Sequence, residues 1–172
     1  MAESKTIPSV DFMFREDGEF VTRSTEELFG NKRVVLFSLP GAFTPTCSAY
    51  QLPGFEEQYL DIKSKGIDEI YCISVNDAFV MNAWAKDQNI ENVKLIPDGN
   101  GEFTTGMEMI VAKQNLGFAY RSWRYAAVID NGQIEWIVEE PGKCNNSQED
   151  PYGETTPEKV LEYLVANRPL AV

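Results

Sequence analysis

The chain contains no histidine, and that absence removes a large part of known enzyme chemistry. Serine and cysteine hydrolases that rely on an imidazole base are excluded. So are histidine-ligated zinc and the usual histidine-ligated haem. Cysteine is scarce: Cys47, Cys72 and Cys144 are an odd number, widely spaced, with no Cys-x-x-Cys pair. That leaves no zinc ribbon, no thioredoxin-type dithiol and no secreted disulfide scaffold, and it fits a reducing cytoplasm. No metal site is suggested. Basic residues are few, 15 against 27 acidic for a net charge of -12, which argues against a nucleic-acid partner. No apolar run is long enough to span a membrane. Met1-Ala2-Glu3-Ser4-Lys5 lacks the basic and apolar regions of a secretory leader.

What remains reads as one domain over residues 1–172, with enough apolar content for a substantial core. No repeat, low-complexity tract or linker interrupts it. Residues 10–21 alternate around Asp17-Gly18 as a β-hairpin. Ser24 and Glu27 have capping-box spacing for a short helix that Gly30 ends. Residues 34–39 form an apolar strand. A helical pattern follows, with Phe55, Tyr59 and Ile62 on one face, and Pro53-Gly54 is expected to kink or interrupt it. Beyond Gly66, residues 70–75 read as an interior strand, 77–88 as a helix with Ala78, Met81 and Ala85 on a common side, and 93–96 as a short strand. Residues 101–118 read as a short helix and an irregular excursion. Strands 125–129 and 133–138 flank Asn131-Gly132, a strong hairpin signal. Thr155 or Thr156 caps a last helix, with Pro157 in its first turn and Leu161, Leu164 and Val165 as its apolar face. The order predicts an α/β fold: a mixed central β-sheet flanked by helices, extended by the N-terminal hairpin.

The chemistry concentrates in Pro40-Gly41-Ala42-Phe43-Thr44-Pro45-Thr46-Cys47. This string joins the 34–39 strand to the helix after it, which puts Cys47 in a first helical turn. Unpaired N–H groups and the positive end of the helix dipole favour an anion there, and such settings make thiols nucleophilic. The competing reading is a small buried core cysteine.

Pro40-x-x-x-Thr44-x-x-Cys47 resembles the active-site signature of the peroxiredoxins, and the longer string is similar to their type II (Prx5, atypical two-cysteine) branch. Four further blocks match in the same order: Leu52-Pro53-Gly54, Ser74-Val75-Asn76-Asp77-Ala78-Phe79-Val80, Ile96-Pro97-Asp98-Gly99 and Arg121-Ser122-Trp123-Arg124-Tyr125. The resemblance spans residues 7–164 and implies a thioredoxin-like fold. It implies a thiol-dependent peroxidase acting on hydrogen peroxide and small organic hydroperoxides, with no cofactor beyond a thiol reductant, glutathione/glutaredoxin or thioredoxin.

It also implies roles. Cys47 is the peroxidatic nucleophile, passing through a sulfenic acid. Thr44 hydrogen-bonds the thiolate and the peroxide; as plain chemistry its hydroxyl could equally cap the loop. Pro40 fixes the loop and, lacking an N–H, shields the sulfur. Pro45 restricts the helix start. Arg124 holds the thiolate with a charge that cannot titrate away; Arg121, three residues earlier, keeps a lesser claim. Cys144 is the candidate resolving cysteine, on a Gly- and Asn-rich stretch, but many relatives lack a cysteine there, and the alternatives stay open. Cys72, in the middle of an interior strand, reads as buried. Where relatives usually carry histidine, four residues after the nucleophile, this chain has Gln51, which can hydrogen-bond but not titrate. No Cys-Pro-Tyr-Cys segment is present, so a glutaredoxin would come from outside. A homodimer is implied, packed through the loops around the site. Phe43, Phe79 and Trp84 are candidates there, although each reads more naturally as core. The alternative from another class is a redox sensor or scaffold oxidised without turnover; Thr44 and Arg124 favour the enzyme.

Overall fold

In the computed structural model, which describes residues 5–167, the chain opens with an antiparallel hairpin of β1 (Asp11–Glu16) and β2 (Glu19–Ser24). Its turn residues Asp17 and Gly18 have φ of 50° and 79°, the left-handed pair that matches strand twist. Residues 1–4, on which the reading of a leader rests, lie outside the described residues. Ser24 caps α1 (Thr25–Phe29), accepting the Glu27 N–H at 3.1 Å. Then come β3 (Arg33–Ser38), a π-helical turn (Cys47–Gln51), α2 (Leu52–Glu57), α3 (Tyr59–Lys63), β4 (Glu69–Ser74), α4 (Ala78–Asp87), β5 (Lys94–Pro97) and α5 (Glu102–Gly106). The chain continues through β6 (Ile110–Ala112), β7 (Tyr120–Ser122), β8 (Tyr125–Asp130), β9 (Gln133–Glu139) and α6 (Pro157–Ala166).

The central sheet runs β5-β4-β3-β8-β9. β3 is parallel to β4 and antiparallel to β8, the mixed, helix-flanked arrangement of a thioredoxin-like fold. Every position of β3 is buried, and strand alternation divides its apolar residues between two layers. Val35 and Phe37 face the layer containing Leu52, Phe55, Trp84, Val160 and Leu164. Val34 and Leu36 face the layer of Phe12, Phe29, Phe103 and Tyr125. The Phe37 and Phe55 rings stack with centroids 4.0 Å apart, fixing the helix after Cys47 onto the middle of the sheet. Arg33, at the start of β3, is gripped by both Glu135 oxygens at 3.0 and 2.7 Å.

Four expectations need correction. The interruption expected at Pro53-Gly54 falls just before it: the π-helical turn ends at Gln51, Pro53 sits in the first turn of α2, and a further break comes at Gln58. Gly54 faces Pro157 of α6, which a Cβ would meet at 3.4 Å, an ordinary contact. The 101–118 excursion contains β6, which pairs with β7 just beyond it in a second small sheet, too short to give a period-two pattern. On α6 the buried residues are Pro157, Val160 and Leu164, whereas Val165 is exposed, because the helix turns its i, i+4 row and not its i+5 position to the sheet. Phe43 and Phe79 are not core: both are exposed, while Trp84 is fully buried as expected. A positive φ of 64° swings Phe43 out of the loop, and Phe79 lies on the face of α4 opposite the Ala78, Met81 and Trp84 side.

Candidate active site

The site forms where β3 runs out. Leu39 and Pro40 remain buried, the chain turns, and helix begins at Pro45, where a proline loses nothing by lacking an N–H. Cys47 therefore falls in the first turn and is fully buried. Its carbonyl accepts the Leu52 N–H, a five-residue step. Pro53 has no N–H to return to the Ala49 carbonyl, so the regular ladder cannot run through this point. Such wide turns concentrate at functional sites.

The side chain that meets the sulfur comes from the junction of β7 and β8. Arg124, 2% exposed, donates from Nη1 to Cys47 Sγ at 3.5 Å and also to Gln51 Oε1. Its Nη2 donates to Asp150 Oδ1 at 2.6 Å, its Nε to the Pro151 carbonyl at 3.2 Å, and its face lies 5.5 Å from the Tyr152 ring. Burial alone would pull the guanidinium's pKa down; the Cys47 sulfur and the Asp150 carboxylate outweigh it and hold the group above its usual value. The Gln51 Nε2 has no protein partner and is one of two such buried side-chain atoms among the described residues.

The remaining candidates are distributed around this core. Thr44 Oγ1 donates to the Gly41 carbonyl at 2.7 Å, which commits its hydrogen and leaves its lone pairs. Arg121 does not touch the sulfur but donates to the Pro40 carbonyl at 3.0 Å, pinning the loop from outside. Its pKa is lowered by burial, which the negative potential of Cys47 partly offsets. Cys72 lies in the same apolar layer as Cys47. Burial, then the Cys47 charge, pushes its thiol well up, which fits an inert core cysteine. Cys144 is free and exposed. Its neighbours tie its segment to β6: Asn145 Oδ1 accepts the Ala112 N–H at 2.9 Å, and the Asn146 N–H donates to the Ala112 carbonyl at 2.8 Å.

Some contacts were not foreseen. Asn76 Oδ1 accepts from the Ala42 N–H at 3.0 Å and the Ser74 hydroxyl at 2.6 Å, joining the loop to the end of β4. Ser48 accepts the Trp84 indole N–H at 3.0 Å. The Asp150, Pro151 and Tyr152 contacts carry no local signal, because they sit in a polar irregular stretch. Among the described residues no cluster of three or more His, Cys, Asp or Glu could hold a metal.

A thioredoxin-like sheet that presents one buried thiol to an arginine at a strand-to-helix junction defines a cysteine-based oxidoreductase. The family model described as Redoxin matches residues 2–152. A peroxiredoxin of Rhizobium etli is 54% identical over 175 residues, covering 96% of this chain and 98% of the relative. Among solved structures, the Plasmodium falciparum antioxidant protein, a 1-Cys peroxiredoxin, has a TM-score of 0.90 at 40% identity, covering 96% of this chain and 100% of that one. Reduced Prx3 from Vibrio vulnificus in complex with hydrogen peroxide has a TM-score of 0.85 at 36% identity, covering 95% of this chain and 99% of that one. The chain belongs to the peroxiredoxins, of the type II (Prx5) kind. It is a thiol-dependent peroxidase of antioxidant defence that uses a thiol reductant as co-substrate and no prosthetic cofactor.

Proposed function

We propose that Cys47 is the peroxidatic nucleophile and Arg124 its partner, a reading carried by the 3.5 Å contact between Arg124 Nη1 and the fully buried sulfur. The thiolate attacks one peroxide oxygen, the O–O bond breaks, and the second oxygen leaves with the bonding pair and takes a proton. The products are a cysteine sulfenic acid and water, or an alcohol from an organic hydroperoxide. The guanidinium stabilises charge on sulfur and on the departing oxygen without itself titrating. Thr44 Oγ1, its hydrogen held by Gly41, accepts from the peroxide O–H, and Pro40 keeps water from the sulfur.

Two thiols restore the enzyme: the first displaces water from the sulfenic acid to give a mixed disulfide, and the second releases Cys47. The one-cysteine cycle fits best, with glutathione and glutaredoxin rather than thioredoxin as the reductant and Cys144 as a bystander. Cys144 is exposed whereas Cys47 is fully buried, and bonds from both adjacent asparagines to Ala112 hold its segment. The 1-Cys description of the Plasmodium structure points the same way. Residues 1–172 act as one domain. A homodimer in the cytoplasm is the setting, with exposed Phe43 and Phe79 on the contact surface. No helix among the described residues is long and apolar enough to cross a membrane.

Intact mass after one equivalent of hydrogen peroxide, with thiol blocking, tests the scheme. An added oxygen on Cys47 and none in Cys47→Ser is expected. Loss of two hydrogens that disappears in Cys144→Ser would replace the one-cysteine cycle with an internal disulfide.

A further inference from the structure

The proposed roles of Cys47 and Arg124 leave open what holds the guanidinium at the sulfur. A buried arginine side chain has several rotatable bonds, and its Nη1 can leave the thiol by rotation about any of them. The contacts divide its fork cleanly. Nη1 goes to Cys47 and Gln51, both on the π-helical turn. The opposite edge, Nε with Nη2, goes to two consecutive residues of the segment between β9 and α6: Pro151 through its carbonyl and Asp150 through its carboxylate. Two bonds along one edge of a planar fork fix both its position and its plane.

The grip has its own support. A following proline disfavours helical backbone at Asp150, and the Asp150 carboxylate and Pro151 carbonyl meet the same edge of the guanidinium. Just beyond, the buried Glu140 carboxylate accepts the N–H groups of Gly153, Glu154 and Thr155 at 2.8–2.9 Å and the Thr155 hydroxyl at 2.7 Å. The Glu140 N–H donates to the carbonyl of Arg124 itself at 3.1 Å. The segment is thus anchored to the same strand junction that supplies the arginine.

We propose that Asp150 is a positioning residue of the peroxidase reaction: with the Pro151 carbonyl it holds the Nε–Nη2 edge of Arg124 so that Nη1 stays on the Cys47 sulfur and on the peroxide it attacks. The inference rests on the Cys47–Arg124 reading above. The Asp150 side chain is 47% exposed, so water screens its charge and the grip outweighs the field. An amide oxygen can supply the same grip.

The test compares two rates in the reduced protein. One is oxidation of Cys47 by hydrogen peroxide in stopped flow; the other is alkylation of Cys47 by chloroacetamide, followed by peptide mass. Chloroacetamide needs the thiolate but has no peroxide for Arg124 to orient. Asp150→Ala is expected to slow peroxide oxidation about tenfold and alkylation less than about twofold, and Asp150→Asn to recover the peroxide rate to within about threefold of the parent; the loss is smaller than the about 10²- to 10³-fold of removing an aimed donor outright, because Pro151 still holds Nε. Three results overturn the proposal: a peroxide rate in Asp150→Ala within about twofold of the parent, a parallel fall of both rates, or an Asn variant as slow as Ala. If Asp150→Ala does not fold, Asp150→Ser is read by the same criteria. Cys47→Ser and Arg124→Ala run alongside. Ordinary peroxide consumption in either removes the underlying site reading, whereas their loss with an unaffected Asp150→Ala removes only this inference.

Discussion

Replacing Arg124 by lysine keeps the charge and destroys the geometry, so it asks which of the two catalyses. The guanidinium reaches four partners on two sides: Cys47 at 3.5 Å and Gln51 on one, Asp150 at 2.6 Å and Pro151 at 3.2 Å on the other. A single ammonium cannot span them. Ordinary strength favours the ion pair with Asp150, since a carboxylate is a better acceptor than sulfur. The lysine nitrogen should therefore settle on the Asp150 side, leaving the sulfur without its donor. Removing one donor aimed at developing charge costs about 2.7–4 kcal/mol of barrier, which is about 10²- to 10³-fold in rate. Stopped-flow oxidation of Arg124→Lys by hydrogen peroxide, followed through tryptophan fluorescence, to which Trp84 contributes from its bond to Ser48 beside Cys47, reads this directly. A rate constant within about fivefold of the parent would mean that charge near the thiol suffices and that the fork geometry is irrelevant.

Two further outcomes concern stability. Glu140→Gln puts an NH₂ group among backbone N–H donors that now bond a buried carboxylate, a loss of roughly 3 kcal/mol and so roughly 6–12 °C in Tm; a shift under 2 °C would contradict it. Glu135 is held below the usual carboxylate range. Burial works against this, but its bonds to Arg33 and Tyr163 prevail. A carboxyl whose folded pKa is depressed contributes stability above its unfolded pKa of about 4.3 and loses it as pH falls through the folded value. Glu135→Gln should therefore flatten the acid limb of a denaturation profile below about pH 4.5 and lower stability at neutral pH. An unchanged acid limb would refute the assignment.

The fold was legible wherever burial imposed a period. Apolar runs at 34–39 and 70–75 and the Asn131-Gly132 turn all form the elements they suggest, because sheet interiors and tight turns select residues locally. The same locality placed Cys47 in the first helical turn. Reading failed where the decisive partner is distant in sequence. Hydrophobicity alone favours core over a contact surface for Phe43 and Phe79, but a backbone φ and a helical phase turn them outward. Gln51 stands where relatives usually carry histidine, yet its bond to Arg124 spans 73 residues and leaves no local mark. Asp150 had no signal at all, since its meaning depends on an arginine 26 residues earlier and on the anchored segment that brings them together.

The net charge of -12 should divide the two halves of the catalytic cycle. Hydrogen peroxide is uncharged, so its encounter with the protein does not feel the overall field, and in the proposed mechanism the guanidinium acts only after arrival. Glutathione, the proposed reductant, is anionic at neutral pH and would approach a like-charged body, a repulsion that salt relieves. Between about 0.01 and about 0.1 M salt the Debye length falls from about 30 to about 10 Å, which removes most of the protein-wide repulsion while leaving contacts inside the site. The second-order rate of peroxide oxidation should stay flat across that range, and reduction of the sulfenic acid by glutathione should quicken severalfold. Slower reduction with salt would show instead that Arg121, half-buried beside the Pro40 carbonyl, attracts the anionic thiol more strongly than the surface repels it. Specific recognition would then begin at the loop, and the acidic surface would matter for solubility alone.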